Sequence, residues 1–210
     1  MASPRRIGAP DAKNRGLLLD AAEQLMLDKG YAAVTSRRVA EAAGLKPQLV
    51  HYYFRTMDDL FLDVFRRRAE EGLAYQARLM DSDQPLWAFW DFSTQSAGTA
   101  LTMEFVGLSN HRKTIRAEVA RYAELFRTTQ LEALENLMPR YEINLGDFPP
   151  SAILFFMTSL SRVLVMEQTL GMSSGHAEAL AVVERELERL EGPRRRAPGG
   201  SDEVDAGPRS

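Results

Sequence analysis

The sequence contains no cysteine, and this absence removes a whole group of functions. Disulfide bridges, zinc sites built on thiolates and cysteine nucleophiles are excluded. Histidine is scarce as well: His51, His111 and His176 are far apart and lack the spacing of metal ligands. A P-loop and a dinucleotide-binding glycine pattern are also missing. We therefore expect neither a metal nor any other cofactor.

The sequence has no segment that is typical of export or membrane insertion. Residues 1–16 lack the apolar region of a secretory signal. The most apolar stretch, residues 153–170, contains Arg162 and Glu167, and such charges are costly at the centre of a bilayer. We expect a buried helix there instead of a membrane span, and a cytoplasmic protein.

One short pattern suggests a hydrolase. Gly171-Met172-Ser173-Ser174-Gly175 matches G-x-S-x-G, in which the serine is the nucleophile. That chemistry needs a strand before the serine and a helix after it. No part of this sequence has the alternating pattern of a strand, and a helical segment precedes Gly171. We therefore interpret the pentapeptide as a turn between helices, and expect no enzymatic activity.

Apolar residues recur at helical spacing along most of the chain, which predicts an all-α fold of about nine helices. Composition predicts a disordered basic arm (1–11) and a disordered tail (192–210) on either side of the helical region. Within that region we place a boundary between a small N-terminal domain (12–57) and a larger C-terminal domain (58–191), whose first helix (about 58–79) links the two.

The charge is distributed unevenly. The chain carries −3 overall, but residues 1–57 hold nine basic and five acidic residues, which is +4 and leaves −7 for the remainder. A protein with a basic N-terminal region can bind phosphates even when the rest of the chain is acidic, because binding depends on the electrostatic field near the contact and not on the net charge.

Residues 35–53 predict a helix-turn-helix. Thr35 is a good N-cap, Gly44 ends the first helix, and Pro47 opens the second, where its missing N–H costs nothing. Ala40 and Ala43 would let the helices approach closely. The wedge between the helices would be formed by Val39, Leu45 and Val50.

The outer face of the second helix would offer polar side chains to a DNA major groove. Ser36, Lys46 and Tyr52 can bind phosphates and fix the docking register. Arg37 could contact guanine and Gln48 adenine. Arg5 and Arg6 of the arm could add phosphate or minor-groove contacts.

The run Thr35-Ser36-Arg37-Arg38-Val39-Ala40-Glu41-Ala42-Ala43-Gly44-Leu45, followed by Val50-His51-Tyr52-Tyr53-Phe54 and Asp58-Asp59-Leu60, resembles the signature of the tetracycline-repressor (TetR) family. The resemblance covers roughly residues 12–65. It implies three DNA-binding helices on a larger helical body that binds an effector and dimerises. By matching position it implies DNA contacts from Thr35, Ser36, Arg37, Lys46, Pro47, Gln48, Leu49, His51 and Tyr52.

Two positions depart from the family pattern. His51 stands where a tyrosine is common, and Met57 stands where a phosphate-binding lysine is common at the start of helix 4. We expect Arg55 to replace the missing phosphate contact from two residues away.

The predicted helix 8 is apolar nearly all round and must be covered on every side. We therefore expect helices 8 and 9 (about 150–190) of two chains to form a four-helix bundle, as the family resemblance also implies. The alternative is a helix fully covered within a monomer.

The middle of the chain is rich in aromatic residues and methionine, which could enclose an apolar effector. We expect Trp90, Met103 and Phe126 to line the pocket; a packed core without a cavity is the alternative. The function we expect is that of a repressor released from a palindromic operator by a small, largely apolar effector. The rival function is a helical carrier of small molecules with a non-functional DNA-binding head.

Overall fold

The computed structural model describes residues 9–141 and 149–195. Within those residues the chain forms nine α-helices, one short 3-10 helix and no strand, which confirms the all-α prediction. The helices are α1 (Ala9–Lys29), α2 (Ser36–Ala42), α3 (Pro47–Tyr53), α4 (Met57–Leu79), α5 (Pro85–Ser93), α6 (Ser96–Ser109), α7 (Lys113–Leu137), α8 (Pro150–Thr169) and α9 (His176–Glu191), and the 3-10 helix is Tyr31–Ala33. We call α1–α3 the head and α5–α9 the body; α4 joins them.

Capping residues set the boundaries of the head helices. The Thr35 hydroxyl accepts a hydrogen bond from the Arg38 backbone nitrogen at 3.3 Å and caps α2. Thr56 and Asp59 form a reciprocal capping box at the start of α4, as their spacing predicts. Gly30 ends α1 with a φ of 76°, a left-handed conformation that glycine adopts without a Cβ clash.

Some boundaries differ from the expected ones. Helix α1 begins at Ala9, so its first residues lie within the segment expected to be a disordered arm. The 3-10 turn after Gly30 was not expected from the sequence. Residues 1–8 of the arm, with Arg5 and Arg6, and residues 142–148 between α7 and α8 lie outside the described residues.

A single apolar core extends from the head into the body. Side chains of α1, α2, α3 and α4 pack together with Leu101, Phe105 and Leu108 of α6 and Ile115 of α7, all of which are at most 5% exposed. Because the same cluster includes residues of α6 and α7, a shift of these helices would be transmitted to the head. A smaller core joins Trp87 and Trp90 of α5 to α8 and α9.

The first residues of the expected disordered tail are held against α5. The buried Gln84 amide donates from Nε2 to the carbonyl oxygens of Glu191 (3.1 Å) and Pro193 (3.0 Å), and its Oε1 accepts from the Arg195 backbone nitrogen at 2.7 Å. The Trp87 indole nitrogen donates to the Gly192 carbonyl at 3.1 Å. Long-range hydrogen bonds thus hold residues 192–195, the first residues of the segment expected to be disordered; residues 196–210 lie outside the described residues.

Helix α8 is long and apolar enough to cross a membrane by length and composition alone, with a mean hydropathy of 1.3. Its inner face, which includes Leu154 and Leu164, is buried in the monomer. The outer face is not: Phe155 is 55% and Phe156 56% exposed. The helix is thus not fully covered within one chain.

Candidate nucleic-acid interface

The turn between α2 and α3 is set by backbone geometry. Gly44 has a φ of 65°, and the next amide, of Leu45, donates to the Ala40 carbonyl at 2.8 Å. This bond caps the end of α2 and turns the chain sharply. Lys46 is the N-cap of α3 and Pro47 its first residue, as predicted.

The inner sides of both helices are sealed in the core. Val39, Ala40 and Val50 are at most 1% exposed, and Leu45 packs against the same cluster. Phe54, just after α3, is 2% exposed and lies under the guanidinium of Arg15, 5.6 Å from its ring centroid. The predicted wedge is therefore present. With one side of α3 fixed, the opposite side faces solvent.

The predicted DNA-contacting residues lie in α2, α3 and the turns beside them, and most of them are exposed. Ser36 and Leu49 are half-buried, and the Thr35 hydroxyl serves as the α2 cap while its residue remains exposed. The remaining predicted contacts are exposed: Arg37, Lys46, Pro47, Gln48, His51, Tyr52 and Arg55.

The structure places both residues that concern the missing lysine at the start of α4. Met57 is the first residue of α4, and its side chain packs against the apolar core. It is therefore unsuited to bind a phosphate. Arg55, the residue expected to supply that contact, is exposed in the preceding turn.

One polar contact joins the body to the head and another joins it to the first turn of α4, and sequence reasoning missed both. The Glu104 carboxylate of α6 accepts the backbone N–H of Tyr31 at 2.6 Å, directly after the end of α1. Before α7, Arg112 pairs with Asp58 in the first turn of α4, and its guanidinium lies 5.6 Å from the ring centroid of Phe61. No local pattern signals these contacts, because the partners are 73 and 54 residues apart.

Ion pairs also hold α4 against α1. Arg67 of α4 contacts Asp20 at 2.6 Å and Glu23 at 3.0 Å. Arg15 of α1 contacts Asp63 of α4 at 2.5 Å. Basic side chains that would otherwise add to the charge of the head are thus neutralised, and the exposed Arg37 and Lys46 remain on the outer face.

The three residues expected to line an effector pocket lie in different surroundings. Trp90 is 4% exposed and borders a cavity of about 230 Å³ between α5, α8 and α9. Phe126 of α7 lies against α4, where a Cβ on Gly72 would come within 3.1 Å of its ring. Met103 of α6 is 43% exposed. Only Trp90 belongs to that cavity.

Helices α2 and α3, with a sealed inner side and an exposed outer one, define the chain as a helix-turn-helix protein. Residues 18–64, which span most of the head and the start of α4, match the family described as "Bacterial regulatory proteins, tetR family". The resemblance predicted from residues 35–60 is thereby confirmed for the head: residues 18–64 form a DNA-binding domain of the TetR family type. No curated protein matches the sequence.

Solved structures share the fold over nearly their full length. A protein assigned as a TetR-family transcriptional regulator from Rhodococcus sp. has a TM-score of 0.67 at 18% identity, over 85% of this chain and 99% of that one. A transcriptional regulator from Saccharomonospora viridis in complex with choline has a TM-score of 0.71 at 14% identity, over 84% and 94%. The fatty acid degradation regulator FadR from Bacillus halodurans has a TM-score of 0.64 at 16% identity, over 91% and 100%.

Proposed function

We propose that the protein is a cytoplasmic repressor that binds a palindromic operator as a homodimer and leaves it when the body binds a small effector. The observation that carries this proposal is the exposed polar face of α3, whose opposite side is buried in the apolar core. A face of this kind is what a major groove admits.

The proposed contacts divide into positioning and base-reading groups. Lys46 at the start of α3 and Tyr52 near its end would bind phosphates, with Arg55 adding a third contact. Gln48 lies on the first turn of α3, where it would read adenine, and Arg37 would read guanine. Those residues would be supported by the other predicted contacts: Thr35, Ser36, Pro47, Leu49 and His51.

We infer that dimerisation uses α8 and α9. The outer face of α8 exposes Phe155, Phe156 and Val163, and Leu170 follows it at 69% exposure. On α9, Val182 is 58% exposed. Large apolar side chains exposed in this number mark an interaction surface. A second copy would bury it and would set the two recognition helices one or more DNA turns apart, about 34 Å or a multiple.

The effector is proposed to be small and largely apolar, with Trp90, Met103 and Phe126 as its predicted contacts. That a protein of this fold binds a small molecule is supported by the neighbour in complex with choline. An effector that favours one arrangement of the body would shift the head through the Glu104 and Arg112 contacts, and so lower operator affinity.

The experiment is selection of binding sites from random duplex DNA with the purified full chain. The proposal predicts enrichment of a palindrome whose half-site spacing reports the separation of the heads. A matched selection with Gln48→Ala should enrich a palindrome of the same spacing with relaxed preference at one position per half-site. If nothing is enriched, and binding is weak and steeply dependent on salt, the carrier function becomes the better account.

A further inference from the structure

The cavity between α5, α8 and α9 combines an apolar floor with acidic walls. Trp90, Leu164 and Val165 form its floor and are at most 4% exposed. The carboxylates of Asp91 on α5 and Glu184 on α9 also line it. An aromatic surface beside two carboxylates is suited to a cation and not to an anion or a purely apolar molecule.

A cation from the chain's own C-terminal segment already lies there. The Arg194 guanidinium contacts the Asp91 carboxylate at 2.7 Å, and its central carbon is 5.8 Å from the centroid of the Trp87 ring. Arg194 also lines the cavity. Arg194 thus makes, within the same chain, the contacts that we would expect of a ligand: its planar cation lies between a carboxylate and an indole ring.

Another cation can replace Arg194 in its ion pair with Asp91. The side chains of Asp91 and Arg194 are 37% and 54% exposed, and an ion pair with that exposure contributes little to stability. Burial nevertheless raises the pKa of Asp91, while Arg194 acts to lower it, so the carboxylate gains from any cation beside it. A competing cation could therefore take the position of Arg194 at small cost.

The segment around Arg194 does not depend on this ion pair for its position. Gln84 binds the backbone on both sides of Arg194, at Pro193 and Arg195, and Trp87 binds the Gly192 carbonyl. Displacement of the Arg194 side chain would therefore open the cavity without detaching residues 192–195.

We propose that this cavity is a binding site for a small organic cation of the guanidinium or alkylammonium type, and that Arg194 occupies the site from within the chain when the ligand is absent. The site goes beyond the proposed repressor function and does not require it, since binding can be measured without DNA.

The test compares butylguanidinium with butylurea, its neutral counterpart of similar shape, by calorimetry on the full chain. Intrinsic fluorescence gives a second readout, because Trp90 lines the cavity and the Trp87 ring lies beside the Arg194 guanidinium. We expect butylguanidinium to bind about tenfold more tightly than butylurea. Arg194→Ala should tighten butylguanidinium binding about two- to fivefold, because the internal competitor is gone.

Asp91→Asn should abolish the preference for the cation while leaving the shape of the cavity intact. Arg189→Ala is the matched control, because Arg189 pairs with Glu186 on α9 and does not line the cavity; it should bind like the wild type. Coincident unfolding curves would show that the variants fold. The proposal is overturned if the two ligands bind equally or not at all, if Asp91→Asn keeps the preference, or if Arg194→Ala binds butylguanidinium no more tightly than the wild type.

Discussion

The carboxylate of Glu104 on α6 accepts a hydrogen bond from the backbone N–H of Tyr31, in the 3-10 turn after α1, with 2.6 Å between the oxygen and the nitrogen. Across this contact the body holds the end of the first helix of the head. The same turn is bordered by Gly107 of α6, where a Cβ would come within 3.4 Å of the Tyr31 ring. A shift of α6 would therefore act directly on the turn that follows α1 in the head.

Replacing Glu104 should destabilise the protein through this one hydrogen bond. In Glu104→Ala the partly buried Tyr31 N–H loses its acceptor, and we expect a loss of about 1–3 kcal/mol in the free energy of unfolding. Glu104→Gln keeps an acceptor oxygen and should lose clearly less. Urea unfolding of the three proteins measures the difference. Equal losses in both variants would show that the contact does not act as a hydrogen bond to the head.

The Glu118 carboxylate should make stability depend on pH in the acid range. Hydrogen bonds from Arg121 and Arg66 lower its pKa from 4.5 to about 2 in the folded protein. A carboxylate with a depressed folded pKa stabilises the fold above its unfolded pKa, and this stabilisation is lost as pH falls from 4.5 towards 2.

Glu118→Gln should therefore unfold more easily than the wild type at pH 7, and the difference should shrink across that acid window. Unfolding free energies measured at a series of pH values test this, with Glu124→Gln on an exposed position of the same helix as the control for loss of a carboxylate. A difference that stays constant from pH 5 to pH 2 would contradict the assignment.

A charge on the outer face of α8 should separate the proposed dimer. Phe155 is 55% exposed in the monomer, and its ring lies 5.3 Å from the Arg127 guanidinium. Phe155→Glu would bury a carboxylate in the interface, which we expect to weaken dimerisation by more than about tenfold. Light scattering after gel filtration gives the mass.

Val106→Glu serves as the control, because Val106 is an apolar residue of α6 that is 43% exposed outside α8 and α9. It should leave the mass at twice that of the chain. A Phe155→Glu protein that remains dimeric would place the interface elsewhere.

Two substitutions on α3 should separate affinity from specificity. Lys46→Ala removes a proposed phosphate contact and should weaken binding to all sequences alike, with the salt dependence reduced by about one counterion. Gln48→Ala should cost about 1–3 kcal/mol on the selected operator and relax the preference at one base pair. Fluorescence anisotropy on the operator and on single-base variants distinguishes the two substitutions. If both changed affinity and base preference in the same way, Lys46 and Gln48 would not have the separate roles proposed for them.

The head could be predicted from sequence almost completely, because its determinants are local. Thr35, Gly44 and Pro47 fix the ends of two short helices, and each acts on residues within one helical turn. The capping box of Thr56 and Asp59 sets the start of α4 in the same way. Determinants at such short, fixed spacing can be recognised in a single sequence.

The body could be predicted only as a set of helices. The contact of Glu104 with Tyr31 and the ion pair of Arg112 with Asp58 join residues that are far apart in the chain. Gly192 and Pro193 favour disorder by composition, but hydrogen bonds from the buried Gln84 and Trp87 hold them in place. Met103 and Phe126 share the apolar character of Trp90 without sharing its cavity, because apolar character does not encode which neighbour a side chain meets.

The central claim is sequence-specific binding of DNA by the exposed face of α3. It is tested most directly by the ratio of affinities for the selected palindrome and a scrambled duplex of equal length and composition, measured by anisotropy at 150 mM salt. The account predicts a ratio of about 10³ or more, as specific regulators show. A ratio near one at every salt concentration would contradict it.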